Sequence, residues 1–358
     1  MKKILFINPN RWGRGITHIW IVSHSGILKK RHKVNLFDAT FFKNWSLDEI
    51  ALQTQNKNYK KTNYDEYRNF NSEDIFDNLQ KKINDFSPDV IFWSAISSHI
   101  HGEGEYVNLQ NGYELISKVD TKNAINITAG LQATSAPEII LKKMKKIDYL
   151  IMGESELVLN QILNLIDLGK KFDHLDGIAF IKDSKVKINN KQSLIDDLDK
   201  ISPYNYDIFT EEVFYRPYNG KVIKAVDYEL SRGCIYSCNY CVETIIQKYY
   251  GFTERSANTG AISNFKKYLR SKSAKIIYEE LKFLIEKKKI ELIRSQDTNF
   301  LTNDRSILFE LSNLIKKSKL KFKMYVETRP EGINEISIKL LKDLNVDGVG
   351  MGIELSDV

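Results

Sequence analysis

Short apolar runs alternate with segments of helical spacing along the first 170 residues of the chain. Each run ends at a turn or a polar residue, which is typical of strands buried in a parallel sheet. The predicted strands are 4–7, 34–37, 90–94, 124–128 and 149–152, and the predicted helices are 16–30, 75–86, 111–119, 137–146 and one that follows Glu154. The pattern predicts an α/β fold in which residues 1–171 form a flavodoxin-like, doubly wound parallel sheet.

The pattern changes over residues 172–225, which we interpret as a connector between domains. Two short runs, 177–181 and 185–188, flank Asp183-Ser184 and predict a hairpin. Strand and helix then alternate again over residues 226–358, which predicts a second domain built as a partial (β/α) barrel. Its predicted strands are 226–230, 290–294, 322–326 and 348–353, and its predicted helices are 273–287, 304–317 and 334–343.

Composition and charge narrow the class of protein. The chain has 358 residues, is 42% hydrophobic and carries a net charge of +7. Its lysines are spread along the chain, which indicates solvated helix faces and no nucleic-acid partner. No apolar run approaches the length of a membrane span, and the first strand turns polar at Asn8 before it could act as a signal peptide. These features predict a cytoplasmic protein.

All three cysteines of the chain lie close together, on the loop after the predicted strand 226–230. Cys234, Cys238 and Cys241 have the spacing C-x3-C-x2-C. This grouping excludes a disulfide framework and favours a metal or redox site. Three thiolates from one loop can hold a 4Fe-4S cluster and leave its fourth iron open. The alternative is a zinc knuckle, which needs a fourth ligand from elsewhere in the chain.

The stretch 231–241 reads Ser-Arg-Gly-Cys-Ile-Tyr-Ser-Cys-Asn-Tyr-Cys, with Tyr240 just before the last cysteine. It resembles the signature of the radical S-adenosylmethionine enzymes. The resemblance implies that Cys234, Cys238 and Cys241 hold the cluster. It also implies that the open iron chelates S-adenosylmethionine, whose one-electron cleavage releases a 5′-deoxyadenosyl radical. A small-molecule substrate and an electron donor such as flavodoxin or ferredoxin follow from the same resemblance.

The rest of the chain resembles the branch of that family with an N-terminal cobalamin-binding domain. The marks, in order, are Ala129-Gly130, then Gly153-Glu154-Ser-Glu156, then the acidic segment 195–199. The resemblance implies that cobalamin is bound near Gly130, Gly153 and Glu154. A glycine such as Gly130 lets backbone approach a flat macrocycle closely. The loops expected to face the corrin are 8–18, 94–104, 129–136 and 153–156.

The chain departs from better-known cobalamin modules in its histidines. No Asp-x-His-x-x-Gly motif follows the first strand, so the sequence identifies no lower ligand for cobalt. Four histidines lie in or near the first domain, and their spacing does not distinguish a ligand from an ordinary core or surface residue. They are His18, His24, His99 and His101.

Polar residues follow three of the predicted barrel strands. Asp297 ends the second strand, Arg329 follows the third and Glu354 follows the fourth. These residues resemble those that lie near bound S-adenosylmethionine in that branch. In barrel enzymes the active site is formed at these strand ends. The resemblance implies that Arg329 pairs with the cofactor's carboxylate and that Glu354 accepts hydrogen bonds from its amino or ribose groups. The alternative is a set of structural ion pairs.

Three functions are compatible with this reading. The first is a methyltransferase that removes hydrogen from an unactivated carbon and receives the methyl group from methylcobalamin. The second is a radical cyclase or oxidative rearranging enzyme in tetrapyrrole, lipid or natural-product metabolism. The third is a non-catalytic cobalamin- or metal-binding protein. A methylthio-transferring enzyme is disfavoured, because residues 1–233 contain no cysteine for a second cluster.

The predicted barrel contains only four strands. The resemblance implies roughly six β/α units, and an open barrel leaves an unpaired apolar edge that proteins normally cover. We therefore expect the chain to be a C-terminally truncated piece of a longer protein.

Overall fold

The computed structural model describes residues 1–47, 62–94, 105–256 and 260–353, with the side chains of 105–107 left aside. Two sheets organise these residues. The strands of the first sheet are β1 (Lys3–Asn8), β2 (Lys33–Asp38), β3 (Val90–Trp93), β4 (Ile125–Ala129), β5 (Tyr149–Ile151), β6 (Ile178–Lys182) and β7 (Lys185–Ile188). Their order is β2-β1-β3-β4-β5-β6-β7, with β1 to β5 parallel. The order of these five strands confirms the flavodoxin-like prediction and places the topological switch point between β1 and β3.

Helices connect the parallel strands of this sheet. They are α1 (Ile19–Leu28), α2 (Ile75–Phe86), α3 (Glu105–Ser117), α4 (Leu131–Ser135), α5 (Pro137–Lys143) and α6 (Glu156–Asp167). The bounds of α2 agree with the prediction, since Asp74 caps its start by accepting hydrogen bonds from the amides of Phe76 and Asp77. All ten residues of α1 are buried. The connector covers this helix, as the amide of Asn205 donates to the carbonyl of Val22 at 3.0 Å.

The predicted hairpin forms, and it extends the first sheet. Strand β6 pairs antiparallel with β5, with Ile178 opposite Ile151, and β7 pairs antiparallel with β6. A hairpin that we assigned to the connector therefore lies at the edge of the first sheet. The division of the chain into domains at 171 and 225 stays a prediction.

The second unit is an open, mostly parallel sheet. Its strands are β8 (Tyr215–Tyr218), β9 (Lys221–Tyr228), β12 (Leu292–Ser295), β13 (Lys323–Thr328) and β14 (Val346–Met351), and a separate ribbon pairs β10 (Ser231–Arg232) with β11 (Arg270–Ser271). The order is β14-β13-β12-β9-β8, with only β8 antiparallel. The helices are α7 (Glu243–Tyr250), α8 (Phe265–Tyr268), α9 (Ala274–Glu286), α10 (Arg305–Ser318) and α11 (Glu335–Asp343). The four predicted β/α strands are confirmed, and the described residues do not close them into a barrel.

The two faces of this sheet differ in polarity. Ile293, Met324 and Val326 are completely buried in the core that includes α9 and α10. Arg294 and Tyr325 occupy alternate positions and are only half-buried. Because successive strand residues point to opposite faces, the second face is polar and free of these helices. No helix among the described residues is both long and apolar enough to cross a membrane.

Candidate cluster and cofactor site

The cysteine loop leaves β10 at the C-terminal end of β9 and leads into α7. Cys234 is buried, whereas Cys238 and Cys241 are half-buried. The amide of Tyr236 donates to Cys234 Sγ at 3.4 Å. Burial raises the pKa of the Cys234 thiol to about 12, and the charges of Glu243, Cys241 and Cys238 act in the same direction.

The buried side chain of Gln247, in helix α7, is hydrogen-bonded to the backbone of this loop. The amide group of Gln247 donates to the carbonyls of Cys234 at 3.1 Å and Tyr236 at 2.8 Å. The amide of Cys241 donates to the carbonyl of Cys238 at 3.0 Å. The sequence prediction missed both α7 and Gln247, because an isolated Gln carries no signal of its contacts.

Three thiolates on one loop suit a 4Fe-4S cluster with one open iron, whereas a structural zinc ion takes four ligands. In the four described ranges, no three Cys, His, Asp or Glu side chains gather around one ion position. Zinc requires all its ligand atoms at about 2.0–2.3 Å from one centre. A 4Fe-4S cluster spreads its thiolates over separate irons, and three thiolates from one loop can hold it.

Arg329 lies beside the cysteine loop. Its Nη1 is 3.5 Å from Cys238 Sγ, and its guanidinium stacks over the Tyr236 ring at 4.6 Å. Its Nη2 also donates to Glu331 at 2.6 Å, and this hydrogen bond holds the pKa of Arg329 above its ordinary value. The structure thus brings Arg329 to the predicted cluster, where its pairing with a cofactor carboxylate stays a prediction. Tyr240 lies on the same loop and is 66% exposed.

Asp297 anchors the start of the cysteine loop to the end of β12. It is 1% exposed and accepts hydrogen bonds from the amide of Leu230 at 3.2 Å and from the hydroxyls of Ser231 and Ser295. Burial raises the pKa of its carboxyl. Its predicted contact with S-adenosylmethionine stays a prediction, and Glu354 lies outside the described residues.

Gly153 and Glu154 face the second unit. A Cβ on Gly153, whose φ is +75°, would lie 2.3 Å from the Tyr250 hydroxyl oxygen in α7. The Glu154 carboxylate accepts hydrogen bonds from Arg270 and from the amide of Ile195, each at 2.9 Å. Because Gly153 has no side chain, Tyr250 of helix α7 can pack directly against its backbone. The predicted role of these two residues in cobalamin binding stays a prediction.

Arg232, two residues before Cys234, is the centre of a buried ion network. Its Nη2 donates to Glu156 and to Glu229 at 2.6 Å each, and its Nη1 lies 3.5 Å from Glu154. All four side chains are 7% exposed or less. Burial acts to raise the pKa of Glu156, but Arg232 and His24 lower it to about 2. The network joins the start of α6 to the cysteine loop, and nothing in the sequence pattern indicated it.

The two described candidate histidines differ in their contacts. His24 is bonded at both ring nitrogens, to the Trp20 carbonyl at 2.6 Å and to Ser155 Oγ at 2.9 Å, which makes it a core residue. His18 Nε2 is buried and has no hydrogen-bond partner in the described part of the chain. Burial lowers the pKa of His18 to about 4. His99 and His101 lie outside the described residues.

Gly130 begins α4 at the end of β4. Its φ is +116°, and a Cβ there would lie 2.7 Å from the carbonyl oxygen of Ser94. Contact with the neighbouring strand end is therefore sufficient to require glycine here. A contact between Gly130 and a corrin stays a prediction.

The loop after β1 contacts the polar face of the second sheet. The amide and hydroxyl of Thr17 both donate to Asp227 Oδ2 at 3.0 Å. Arg216 donates to both oxygens of the same carboxylate, at 2.8 and 2.5 Å. Burial acts to raise the pKa of Asp227, but the charge and hydrogen bonds of Arg216 hold this pKa far below its usual range. This contact places the switch-point loop of the first sheet over the interior of the second.

The fold and the site together define a flavodoxin-like sheet joined to a parallel β/α sheet that carries a three-cysteine loop. No known family model matches the chain. An uncharacterized methyltransferase of Pyrococcus horikoshii is 23% identical over 284 residues, which are 79% of this chain and 55% of the relative. The anaerobic magnesium-protoporphyrin IX monomethyl ester cyclase of Rubrivivax gelatinosus is 27% identical over 169 residues, which are 46% of this chain and 29% of the relative. The chain thus spans about half the length of the first relative and less of the second.

Two solved structures share the fold over nearly the whole chain. One is the radical S-adenosylmethionine methyltransferase TsrM of Kitasatospora setae, solved with its tryptophan substrate and an analogue of S-adenosylmethionine. Its TM-score is 0.66 and its sequence identity is 14%, and the match covers 100% of this chain and 60% of TsrM. The cobalamin-dependent radical enzyme OxsB, solved with aqua-cobalamin and S-adenosylmethionine, has a TM-score of 0.62 and 16% identity, and the match covers 99% of this chain and 44% of OxsB.

The chain has the fold of cobalamin-dependent radical S-adenosylmethionine enzymes, and the resemblance predicted from the sequence is confirmed. The relatives and neighbours named above are enzymes, as predicted for this chain. The neighbours hold the three cofactors that the sequence predicted: TsrM is also solved with cobalamin and a 4Fe-4S cluster, and OxsB with S-adenosylmethionine.

Proposed function

We propose that this protein is a cobalamin-dependent radical S-adenosylmethionine enzyme that transfers a methyl group to an unactivated carbon of a small molecule. The observation that carries the proposal is the position of the three-cysteine loop. It lies at the C-terminal end of β9, where Arg232 joins it to the flavodoxin-like sheet through Glu154 and Glu156. A radical generator and a corrin domain would be held next to each other by this arrangement.

Named residues of the chain would hold each group. Cys234, Cys238 and Cys241 would bind the cluster, and Gln247 fixes the backbone that carries the first of them. When bound, the cluster would supply the electron that cleaves S-adenosylmethionine, and methylcobalamin would supply the methyl group. We also propose the remaining predicted contacts, to S-adenosylmethionine from Tyr240, Asp297, Arg329 and Glu354, and to cobalamin from Gly130, Gly153 and Glu154.

A radical cyclase is the second candidate, and one comparison favours it. The magnesium-protoporphyrin monomethyl ester cyclase is more identical to this chain than the methyltransferase is, at 27% against 23%, although over a shorter stretch. An electron donor such as flavodoxin or ferredoxin and a cytoplasmic location belong to either proposal. The donor follows from the chemistry, which consumes one electron for each cleavage.

The first experiment tests for both cofactors. The protein is purified without oxygen, reconstituted with iron and sulfide, mixed with hydroxocobalamin, desalted and examined by visible absorption. We expect cluster absorbance that Cys238→Ala abolishes and that Ser237→Ala, a control in the same loop, retains. Corrin bands that survive desalting support the cobalamin reading.

Other outcomes contradict parts of the proposal. Absence of the cluster overturns it and revives the zinc reading. A cluster without retained corrin removes the methylcobalamin mechanism but keeps radical chemistry. If both cofactors bind but S-adenosylmethionine is not cleaved under reduction, the third possibility, a non-catalytic cobalamin- or metal-binding protein, replaces both enzymes. Cleavage that converts a substrate to a cyclic product with no methyl added selects the cyclase.

A further inference from the structure

A cavity of about 620 Å³ lies at the N-terminal ends of β9, β12 and β13. The cysteine loop follows the other end of β9, and the eight residues of this strand separate the two places by roughly 20 Å. The volume of the cavity is typical of a small-molecule site. Barrel enzymes form their active sites at the C-terminal strand ends, so the chemistry proposed above does not use this cavity.

Aromatic and aliphatic residues form much of the lining of this cavity. Tyr218 and Phe322 are its aromatic residues, and Ile223, Ile285 and Ile290 are its aliphatic ones. All of them except Ile290 are partly exposed, so a ligand can reach this apolar surface from solvent. Such a lining favours a ligand with a hydrocarbon or aromatic body.

Four lysines from three parts of the chain line the same cavity. Lys221 begins β9, Lys289 follows α9, and Lys321 and Lys323 lie at the start of β13. Lys323 is paired with Asp347 at 3.0 Å. The other three lysines are exposed, and none of them forms an ion pair with the residues that the structure describes. Their ammonium groups are therefore available to an anion that enters the cavity.

The charges that line the cavity do not cancel. Glu291 is the one acid among the described lining residues, and its carboxylate accepts a hydrogen bond from the amide of Lys224 at 3.2 Å. Because Asp347 neutralises Lys323, three lysines face one carboxylate, which leaves two positive charges. A phosphate monoester carries about −1.5 to −2 charges at pH 7, which matches this excess. Lysine binds phosphate as a point charge, whereas a carboxylate is matched best by the fork of an arginine, and the described lining contains none.

We propose that this cavity binds a soluble phosphate monoester with an apolar or aromatic body. The phosphate is held by the ammonium groups of Lys221, Lys289 and Lys321, and the body packs against Tyr218 and Phe322. Because the cavity is remote from the cysteine loop, the ester is a second ligand and not the molecule on which the radical chemistry acts. The proposal therefore does not depend on the proposed function, and it can be tested without cluster or corrin.

The test compares phenyl phosphate, inorganic phosphate and benzoate as probes of the 358-residue protein, by ligand-observed NMR titration. We expect phenyl phosphate to bind about tenfold or more tightly than inorganic phosphate, since only the ester buries a ring. It should bind about threefold or more tightly than benzoate, which carries a single charge. Lys289→Gln and Lys321→Gln should each weaken its binding about threefold to fivefold, and the double variant about tenfold or more. The matched control is Lys275→Gln, which changes an exposed lysine at the other end of α9 and should leave the affinity unchanged.

Four results would overturn the proposal. Equal affinities for phenyl phosphate and inorganic phosphate would show that the apolar lining takes no part, and equal affinities for phenyl phosphate and benzoate would remove the preference for phosphate. An unchanged affinity in the double variant, with its circular dichroism spectrum retained, would place any binding elsewhere. Sedimentation with vesicles that contain phosphatidic acid, if the double variant abolishes it, would identify a lipid headgroup in place of a soluble ester. Because cluster and corrin are absent from these assays, their failure leaves the radical chemistry intact.

Discussion

Replacement of Arg232 by methionine tests whether the buried ion network holds the cysteine loop. Methionine keeps an apolar side chain of similar length but removes the charge. Glu156 and Glu229, at 1% and 0% exposed, would lose the guanidinium that each contacts at 2.6 Å, whereas Glu154 would keep Arg270 at 2.9 Å. Breaking a buried ion pair by removing one partner costs about 3–5 kcal/mol. We expect the free energy of unfolding of Arg232→Met to fall by about that amount.

The assay is urea unfolding of the cluster-free protein, followed by circular dichroism, with iron content after reconstitution as a second measurement. The control is Lys200→Met, which breaks the exposed pair of Lys200 with Asp196 and should change stability by less than about 1 kcal/mol. Adding Glu156→Gln to Arg232→Met should recover part of the loss, because one uncompensated carboxylate is then neutral. If Arg232→Met unfolds within about 1 kcal/mol of the wild type, the network does not hold the loop and the reasoning is refuted.

Three further predictions concern the same junction. Gly153→Ala should lower the melting temperature, because residue 153 has a φ of +75° and the added Cβ would collide with the Tyr250 hydroxyl. An unchanged melting temperature would show that α7 can move away from the added Cβ without loss of stability. The pKa of Glu156 is lowered from 4.5 to about 2 in the folded protein, so its contribution to stability is present above pH 4.5 and is lost as the pH falls towards 2. Glu156→Gln should therefore flatten the dependence of the unfolding free energy on pH between these two values. An unchanged slope would contradict the assignment. Gln247→Leu should reduce iron content after reconstitution while the circular dichroism spectrum is retained, and full iron content would remove Gln247 from the site.

Local sequence signals determined most of the secondary structure and the cysteine site. The helix 75–86 was predicted at its observed bounds, because apolar spacing and the Asp74 cap act within a few residues of each other. The apolar strand runs and the C-x3-C-x2-C spacing are likewise patterns that span only a few residues, so they can be recognised without the tertiary structure. The short helices α4 and α7 were missed, since they depend on contacts with the neighbouring unit and have little periodicity of their own.

Only the tertiary structure decided how these parts meet. Arg232 and Glu156 are separated by 76 positions, and Thr17 and Asp227 by 210, yet each pair is in direct contact. A charged residue in a sequence does not indicate which distant partner compensates its burial, because many pairings satisfy the same charges. The roles of Gly153 and His24 follow from the same packing. The sequence by itself thus determined the order of elements and the grouping of the three cysteines. The junction that positions the cysteine loop beside the first sheet arises from contacts between residues far apart in the chain.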